Sequence, residues 1–322
     1  VEDPAVVAKL GDLIPEELSR ARILLAPREA IQARITAFNR QQLTDAACTR
    51  VPEIESCRNW SRSKALRLTM LATAMALLIC ATWAFPALVF SGLVLWAIFT
   101  LVVSAVFKTI AFVAHKTAEP DRDVTLKTSD KALPKVSILV PLYKETEVLH
   151  ALVARLSRLT YPKCVLDVLL VIEEADETTR NMLATIDLPS WIKPVVVPDG
   201  QPRTKPRAMN YSLDFCEGDI IVVYDSEDAP EPDQITQVAR RFQELPSDVA
   251  CIQGVLDYYN PRQNWLSRCF TIEYATWFRM ILPGVSQLGW AIPLGGTTLF
   301  FRRNVREHLG GWDAHNVTED AD

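Results

Sequence analysis

Lys135-Val-Ser-Ile-Leu-Val-Pro-Leu-Tyr-Lys-Glu145 passes from a short apolar run into a polar turn. Bounded in this way, the run reads as a buried strand. The same pattern recurs at Val165-Leu-Asp-Val-Leu-Leu-Val-Ile172, at Pro194-Val-Val-Val197 and at Asp219-Ile-Ile-Val-Val-Tyr224. Helix-period patterns over 146–159, 178–186 and 207–216 lie between these runs. Strands and helices alternating at this spacing predict βαβ units and a mostly parallel sheet, an α/β fold. Ligands of such open sheets bind beyond the carboxyl ends of the strands, so the residues that follow each strand are the first place to look for chemistry.

Tyr143-Lys144-Glu145 follow the first strand, Glu173-Glu174-Ala175-Asp176 the second, and Asp225-Ser226-Glu227-Asp228-Ala229-Pro230 the fourth. Acids from three strands therefore gather at one edge of the sheet. Crowded carboxylates repel one another unless a cation or a donor-bearing ligand holds them. A hard divalent metal, Mg²⁺ or Mn²⁺, bridging such acids to a diphosphate is the economical arrangement. A single cluster would read as solvated loop acids; three at strand ends point to a site. No G-x-x-x-x-G-K-[ST] and no G-x-G-x-x-G follows the first strand, which disfavours a P-loop nucleotidase and a dinucleotide-dependent dehydrogenase. Gly295-Gly296 reads as a turn, and the scattered His115, His150, His308 and His315 do not form a metal-ligand pattern.

Residues 68–107 are 40 consecutive positions without Asp, Glu, Lys or Arg. A bilayer core of ~30 Å takes ~20 helical residues, and one straight helix of that run would span ~60 Å. Pro86, near its centre, favours a break, so two crossings joined at Phe85-Pro86 are expected. Arg58, Arg62, Lys64 and Arg67 precede the run, and Lys108 and Lys116 follow it. Basic flanks on both sides place residues 1–67 and 108–322 in the cytoplasm of a multi-pass protein of the inner (plasma) membrane. A purely soluble protein is excluded, and the mean hydropathy of +0.09 in a chain with 23% charged residues has its source here. Lys and Arg number 34 against 39 Asp and Glu, so no basic excess exists to neutralise a nucleic acid. The 7 cysteines form no C-x-x-C and read as inert thiols of a reducing compartment. Residues 1–67 read as short helices punctuated by Pro27 and Pro52, a packing or docking segment. No cleavable signal peptide is read at the charged start of the chain, and Val1 in place of methionine reads as the start of a fragment.

Taken in order, Pro141-Leu-Tyr-Lys-Glu145, the acid-ended second strand, Lys205-x-x-Ala-x-Asn210, Asp225-x-Glu227 and Thr318-Glu319-Asp320 carry a resemblance. Over residues 131–322 the chain resembles the membrane-bound family-2 glycosyltransferases, the cellulose-synthase-like group. The resemblance implies a GT-A fold, Rossmann-like, that transfers a hexose with inversion from a nucleotide-sugar donor, a UDP-sugar, to a polysaccharide or lipid-linked acceptor. Carried over by position, it implies that Glu145 belongs to the donor site and that Glu173, Glu174 or Asp176 meets the nucleoside. Glu-Glu-Ala-Asp stands where the family has Asp-Asp, so those three remain alternatives. Lys205 would lie by the donor's phosphates or base. Asp225 and Glu227 match the metal-binding D-x-D, with the adjacent Asp228 able to share or take the second place. Asp320 matches the general base, with Glu319 as the nearest substitute. The family carries a Q-x-x-R-W motif downstream, and this sequence ends at Asp322, which reads as truncation. The rival reading is a degenerate GT-A-like module that binds nucleotide or scaffolds partners, for which Glu227 in place of Asp is the best support.

The hairpin topology has a direct check. An impermeant thiol reagent applied to intact cells is expected to leave Cys57 and Cys164 unlabelled; strong labelling of either overturns it.

Overall fold

The computed structural model describes residues 30, 34, 36–59, 64–118, 132–258 and 260–317. Thr318-Glu319-Asp320 and the flank residue Arg62 lie outside the described residues. Among the described residues, α1 (Arg40–Thr49), α2 (Lys64–Ala84) and α3 (Pro86–Thr117) precede the sheet. The sheet has six strands, β1 (Val136–Leu142), β2 (Leu166–Glu173), β3 (Ile192–Val197), β4 (Ile220–Val223), β5 (Cys251–Gln253) and β6 (Leu299–Arg302), in the order β3-β2-β1-β4-β6-β5. The four strands β3-β2-β1-β4 are parallel, and β6 alone runs against its neighbours β4 and β5. Helices α4 (Leu149–Ser157), α5 (Glu177–Leu183), α6 (Lys205–Leu213) and α7 (Gln234–Glu244) connect or follow the parallel strands. After β5 come α8 (Trp265–Thr276), a π-helical stretch at Trp277–Ile281, and α9 (Leu282–Gln287); α10 (Arg303–His308) follows β6. This is the mostly parallel α/β sheet expected from the sequence, preceded by two apolar helices.

Every residue of β2 is buried, because helices cover both faces of the sheet. Alternation along β1 and β2 sorts side chains into two cores. Ile138, Val140, Val168 and Leu170 pack with Leu152 of α4 and Phe242 of α7. Leu139, Leu169 and Val171 pack on the other side with Met209 of α6, Ala47 of α1 and Trp312. Asp167 interrupts the apolar run of β2 and is tolerated because Ser137 Oγ donates to it at 3.1 Å and Lys193 Nζ at 3.1 Å. Helix α6 starts two residues before the expected 207: Thr204 caps it by accepting from the Arg207 N–H, and Pro206 suits its first turn.

One difference in pairing shapes the top of the sheet. β1 pairs with β2 as far as Leu142 and Ile172, but with β4 only as far as Leu139 and Val223. Pro141 has no N–H to extend the ladder toward β4. A crevice therefore opens between the carboxyl ends of β1 and β4, where the order of connection reverses.

Helices α2 and α3, with 21 and 32 residues, are long and apolar enough to cross a membrane. The break falls at Phe85, with Pro86 opening α3 as expected. Both helices run past the uncharged block into Lys64, Arg67, Lys108 and Lys116. Apolar side chains on them stand outward, among them Leu71 (62% exposed), Phe90 (70%) and Trp96 (67%). At ~1.5 Å per residue α3 outruns a ~30 Å bilayer core, and its last turns are held by protein instead. Ala111 is wholly buried there against Ile281 and Val285, and Phe107 stacks on Trp290 with ring centroids 5.8 Å apart.

Gly284 of α9 lies against the Ala111 backbone so closely that a Cβ would fall inside the Ala111 carbonyl. Gly284→Val is therefore expected to destabilise the protein by about 1–3 kcal/mol through overpacking. A thermal ramp of the detergent-solubilised protein checks it; an unshifted transition would contradict this packing.

Candidate active site

The crevice holds a cavity of 540 Å³. Glu145, Glu173, Lys205, Asp225 and Glu227 reach its lining from four places in the chain, with Arg203 and Thr204 on one wall. Each is delivered by an element end. Glu145 follows β1, Glu173 closes β2, Lys205 opens α6, and Asp225 and Glu227 lie in the turn after β4.

Lys205 Nζ donates to Asp225 Oδ1 at 2.6 Å, and the two side chains keep 25% and 33% of their surface exposed. A cation and an anion at the mouth of a cavity, paired but wet, are exchangeable at little cost. Ser226 Oγ lies 3.2 Å from Glu145 Oε1 and 3.1 Å from Glu227 Oε2. One hydroxyl proton serves one of these carboxylates at a time, so Ser226 spans two acids that otherwise repel.

Asp228 is turned away from the lining. Its Oδ2 accepts from the Asp225 N–H at 2.8 Å and from the Thr297 hydroxyl, and the Asp228 N–H donates back to Asp225 O at 3.1 Å. Burial pushes its carboxyl above the ordinary value, against the pull of those two donors. It ties the turn that presents Asp225 and Glu227.

The acids after β2 divide. Glu173 Oε2 accepts from Arg207 Nη2 at 2.8 Å, and Arg207, wholly buried, also donates to Pro198 O at 3.0 Å. Burial raises the Glu173 carboxyl and Arg207 opposes that rise. Glu174 points the other way, accepting from the Asp199 N–H at 3.0 Å and pairing with Arg40 of α1, which together hold it below its ordinary value. It lines a second cavity, of 660 Å³, between α1 and β3. Asp176 caps α5: Thr179 N–H and Oγ donate to it at 3.1 and 2.7 Å. It also accepts from the Lys144 N–H at 2.5 Å, where Lys144 takes a positive φ of 56°. Burial would raise this carboxyl, but the Lys144 and Thr179 donors outweigh it and hold it low. Since Thr179 Oγ also accepts from the Glu145 N–H at 3.0 Å, the pair fixes the turn that aims Glu145.

The Lys205…Asn210 motif has two ends with separate tasks. Lys205 faces the cavity, whereas Asn210 is fully buried and bonds to Ala47 O at 3.0 Å and to Trp312 O at 2.6 Å. Sequence reasoning singled out neither Arg207 nor Ser226 nor Thr297. Nothing in the sequence marks Arg207: a cation inside the Lys205…Asn210 motif reads as a solvated helix charge until the burial of 206–213 is known.

Among the described residues no three His, Cys, Asp or Glu side chains close on one point as a complete metal site does. Asp225 and Glu227, with Glu145 beside them, nevertheless offer hard carboxylate oxygens and no softer ligand. That donor set fits Mg²⁺ or Mn²⁺, which take one or two carboxylates and fill the rest of the shell with water and substrate phosphate.

A family model described as glycosyltransferase-like family 2 matches residues 134–322. The chain belongs to this family. It is 27% identical over 194 residues to the Bacillus subtilis protein named "Probable glycosyltransferase YdaM", a match over 60% of this chain and 46% of that one. It is also 27% identical over 200 residues to the beta-monoglucosyldiacylglycerol synthase of Trichormus variabilis, over 61% of this chain and 42% of the relative. The chain thus spans under half the length of these relatives. Among solved structures it is similar to a Pyrobaculum calidifontis mannosyltransferase in complex with GDP-Man and Mn²⁺, at 20% identity and a TM-score of 0.49, covering 69% of this chain and 60% of that one.

Removing the α5 cap tests the strut beneath Glu145. Asp176→Ala is expected to cost about 1–2 kcal/mol. Because Asp176 titrates below its unfolded value, its contribution is complete above the unfolded carboxylate's ~3.9 and fades as pH falls through the lower folded value. Melting curves of both proteins should differ by a constant gap near neutral pH that closes in acid; a gap independent of pH would contradict the cap.

Proposed function

We propose that this chain carries the donor side of an inverting, metal-dependent glycosyltransferase working at the cytoplasmic face of the plasma membrane. The observation that carries it is the crevice between β1 and β4, where four carboxylates and Lys205 share one cavity and the Asp225–Lys205 pair stays solvent-accessible. The donor is a nucleotide-sugar, with a UDP-sugar the first to test. Glu173 meets the nucleoside, held by Arg207. Lys205 exchanges Asp225 for the donor's phosphates. Asp225 and Glu227 would hold the divalent cation, which when bound neutralises the departing diphosphate. Asp320 takes the proton of the acceptor hydroxyl as its oxygen forms a bond to the anomeric carbon. The bond to the diphosphate breaks on the opposite face, so the configuration inverts.

Family membership supports glycosyl transfer, and α2 and α3 support a membrane anchor with an even number of crossings. A lipid-linked acceptor is favoured over a soluble one by the anchor and by the name of the Trichormus relative; a growing polysaccharide is the other acceptor considered. Against a partner-scaffolding module stands the wet Lys205–Asp225 pair, since a scaffold has no need of an exchangeable pair in a cavity, and turnover separates an enzyme from a nucleotide-binding module.

Turnover of a nucleotide-sugar by the whole membrane protein tests catalysis. As the general base, Asp320 is expected to contribute ~10²–10⁴-fold to rate and little to donor affinity. Asp320→Asn should bind donor as the wild type does and transfer slowly; transfer at a near-normal rate would move the base elsewhere, with Glu319 next.

A further inference from the structure

The segment ahead of the membrane helices docks on the catalytic domain at several points. Arg40 pairs with Glu174 and Arg50 with Asp214, while Ala47 O accepts from Asn210 Nδ2 at 3.0 Å. The chain then folds over the loop at 310–317. Asp313, 3% exposed, accepts from Ser56 Oγ at 2.8 Å, from the Cys57 N–H at 2.5 Å and from the His315 N–H at 3.1 Å. Burial would raise this carboxyl, but those three donors outweigh it and hold it low, so it stays an acceptor at neutral pH. Gly310, at φ +80°, sits so near the Arg50 carbonyl that a Cβ would stand 2.6 Å from its oxygen. Arg58 donates from Nε to Ser56 Oγ at 3.1 Å and from its guanidinium to Val51 O, which closes residues 51–58 into a compact strap.

From its other side the same loop is held by α6. Trp312 donates from its N–H to Asn210 Oδ1 at 2.8 Å and accepts from Asn210 Nδ2 at 2.6 Å. Ala314 O accepts from Thr204 Oγ1 at 2.6 Å, and Thr204 is both the cap of α6 and a wall of the donor cavity. The loop is thus clamped between the strap and the helix that carries Lys205, and in sequence it runs directly into Thr318-Glu319-Asp320.

We propose that residues 40–58 form a positioning strap for acceptor chemistry, with Ser56 and Asp313 as positioning residues that fix the loop delivering Asp320. This rests on the reading of Asp320 as the base. A base must be held within a fraction of an ångström of its productive place, and a displacement of ~1 Å can cost ~10²-fold in rate. The strap is also the stretch of sequence just ahead of α2, which begins at Lys64.

The test uses the intact membrane protein and measures donor Kd and kcat separately. Ser56→Ala and Asp313→Asn are expected to lower kcat by ~10–100-fold while donor Kd stays within about twofold, and Ser56→Thr, which keeps the hydroxyl, should restore the rate. Wild-type kcat in folded Ser56→Ala protein overturns the proposal, as does a donor affinity that falls in step with kcat. Should Asp313→Asn fail to fold, Ser56→Ala carries the test, because it removes only one hydroxyl, a donor to Asp313 and an acceptor from Arg58. Asp320→Asn, assayed alongside, reads the base assignment independently. Full-rate transfer by that variant removes Asp320 as base and the proposal with it, whereas slow transfer there beside wild-type kcat in Ser56→Ala overturns the strap alone.

Discussion

β1 is bonded to β2 along its full length but to β4 only as far as Leu139 and Val223, and the site is built in the gap where those pairings part. A continuous ladder would have sealed the crevice with backbone. Ending it early lets three strand ends and the first residue of α6 face one volume. The acids gathered there would repel if each were free, and the structure answers with two kinds of acid. Glu145, Glu173, Asp225 and Glu227 line the cavity, whereas Asp176 and Asp228 are struts that accept backbone N–H groups and hold the turns beneath. The struts are rigid because buried carboxylates must keep their donors. The lining is adaptable because its pairs, Lys205 with Asp225 above all, remain wet.

The membrane helices and the strap extend the same economy. α3 is fixed to the domain through Ala111, Gly284 and the Phe107–Trp290 stack. α1 is fixed through Asn210, a fully buried amide that serves α1 and Trp312 at once. Neither attachment touches the cavity. The α1 attachment reaches α6, whose first residue, Lys205, lines it, whereas the α3 attachment reaches α9.

Much of this was legible in the sequence, and the reasons are physical. Parallel strands covered on both faces appear as continuous apolar runs, so β1, β2, β3 and β4 could be found from pattern alone. The acids could be found because ligands of such sheets gather at carboxyl ends. Which acid faces the cavity was not legible. Glu173 and Glu174 are neighbours, yet alternation at the strand end sends one to Arg207 and the other to Arg40. Nor was it legible that Asp228, next to Glu227, accepts from the Asp225 N–H and the Thr297 hydroxyl. The 3-residue β5 is too short to carry a period, and the reversal of β6 is a property of pairing that no single segment encodes. Asn210 belonged to a recognised motif, but its partners Ala47 and Trp312 lie 163 and 102 residues away.

The proposed site is complete only when a nucleoside diphosphate joins Asp225 and Glu227 around a divalent cation. Titration of Mn²⁺ followed by electron paramagnetic resonance, with and without UDP, tests it most directly. Tight Mn²⁺ binding is expected only when the nucleotide is present, with its loss in Asp225→Asn. Equal Mn²⁺ affinity without nucleotide, or binding untouched by that substitution, would contradict it.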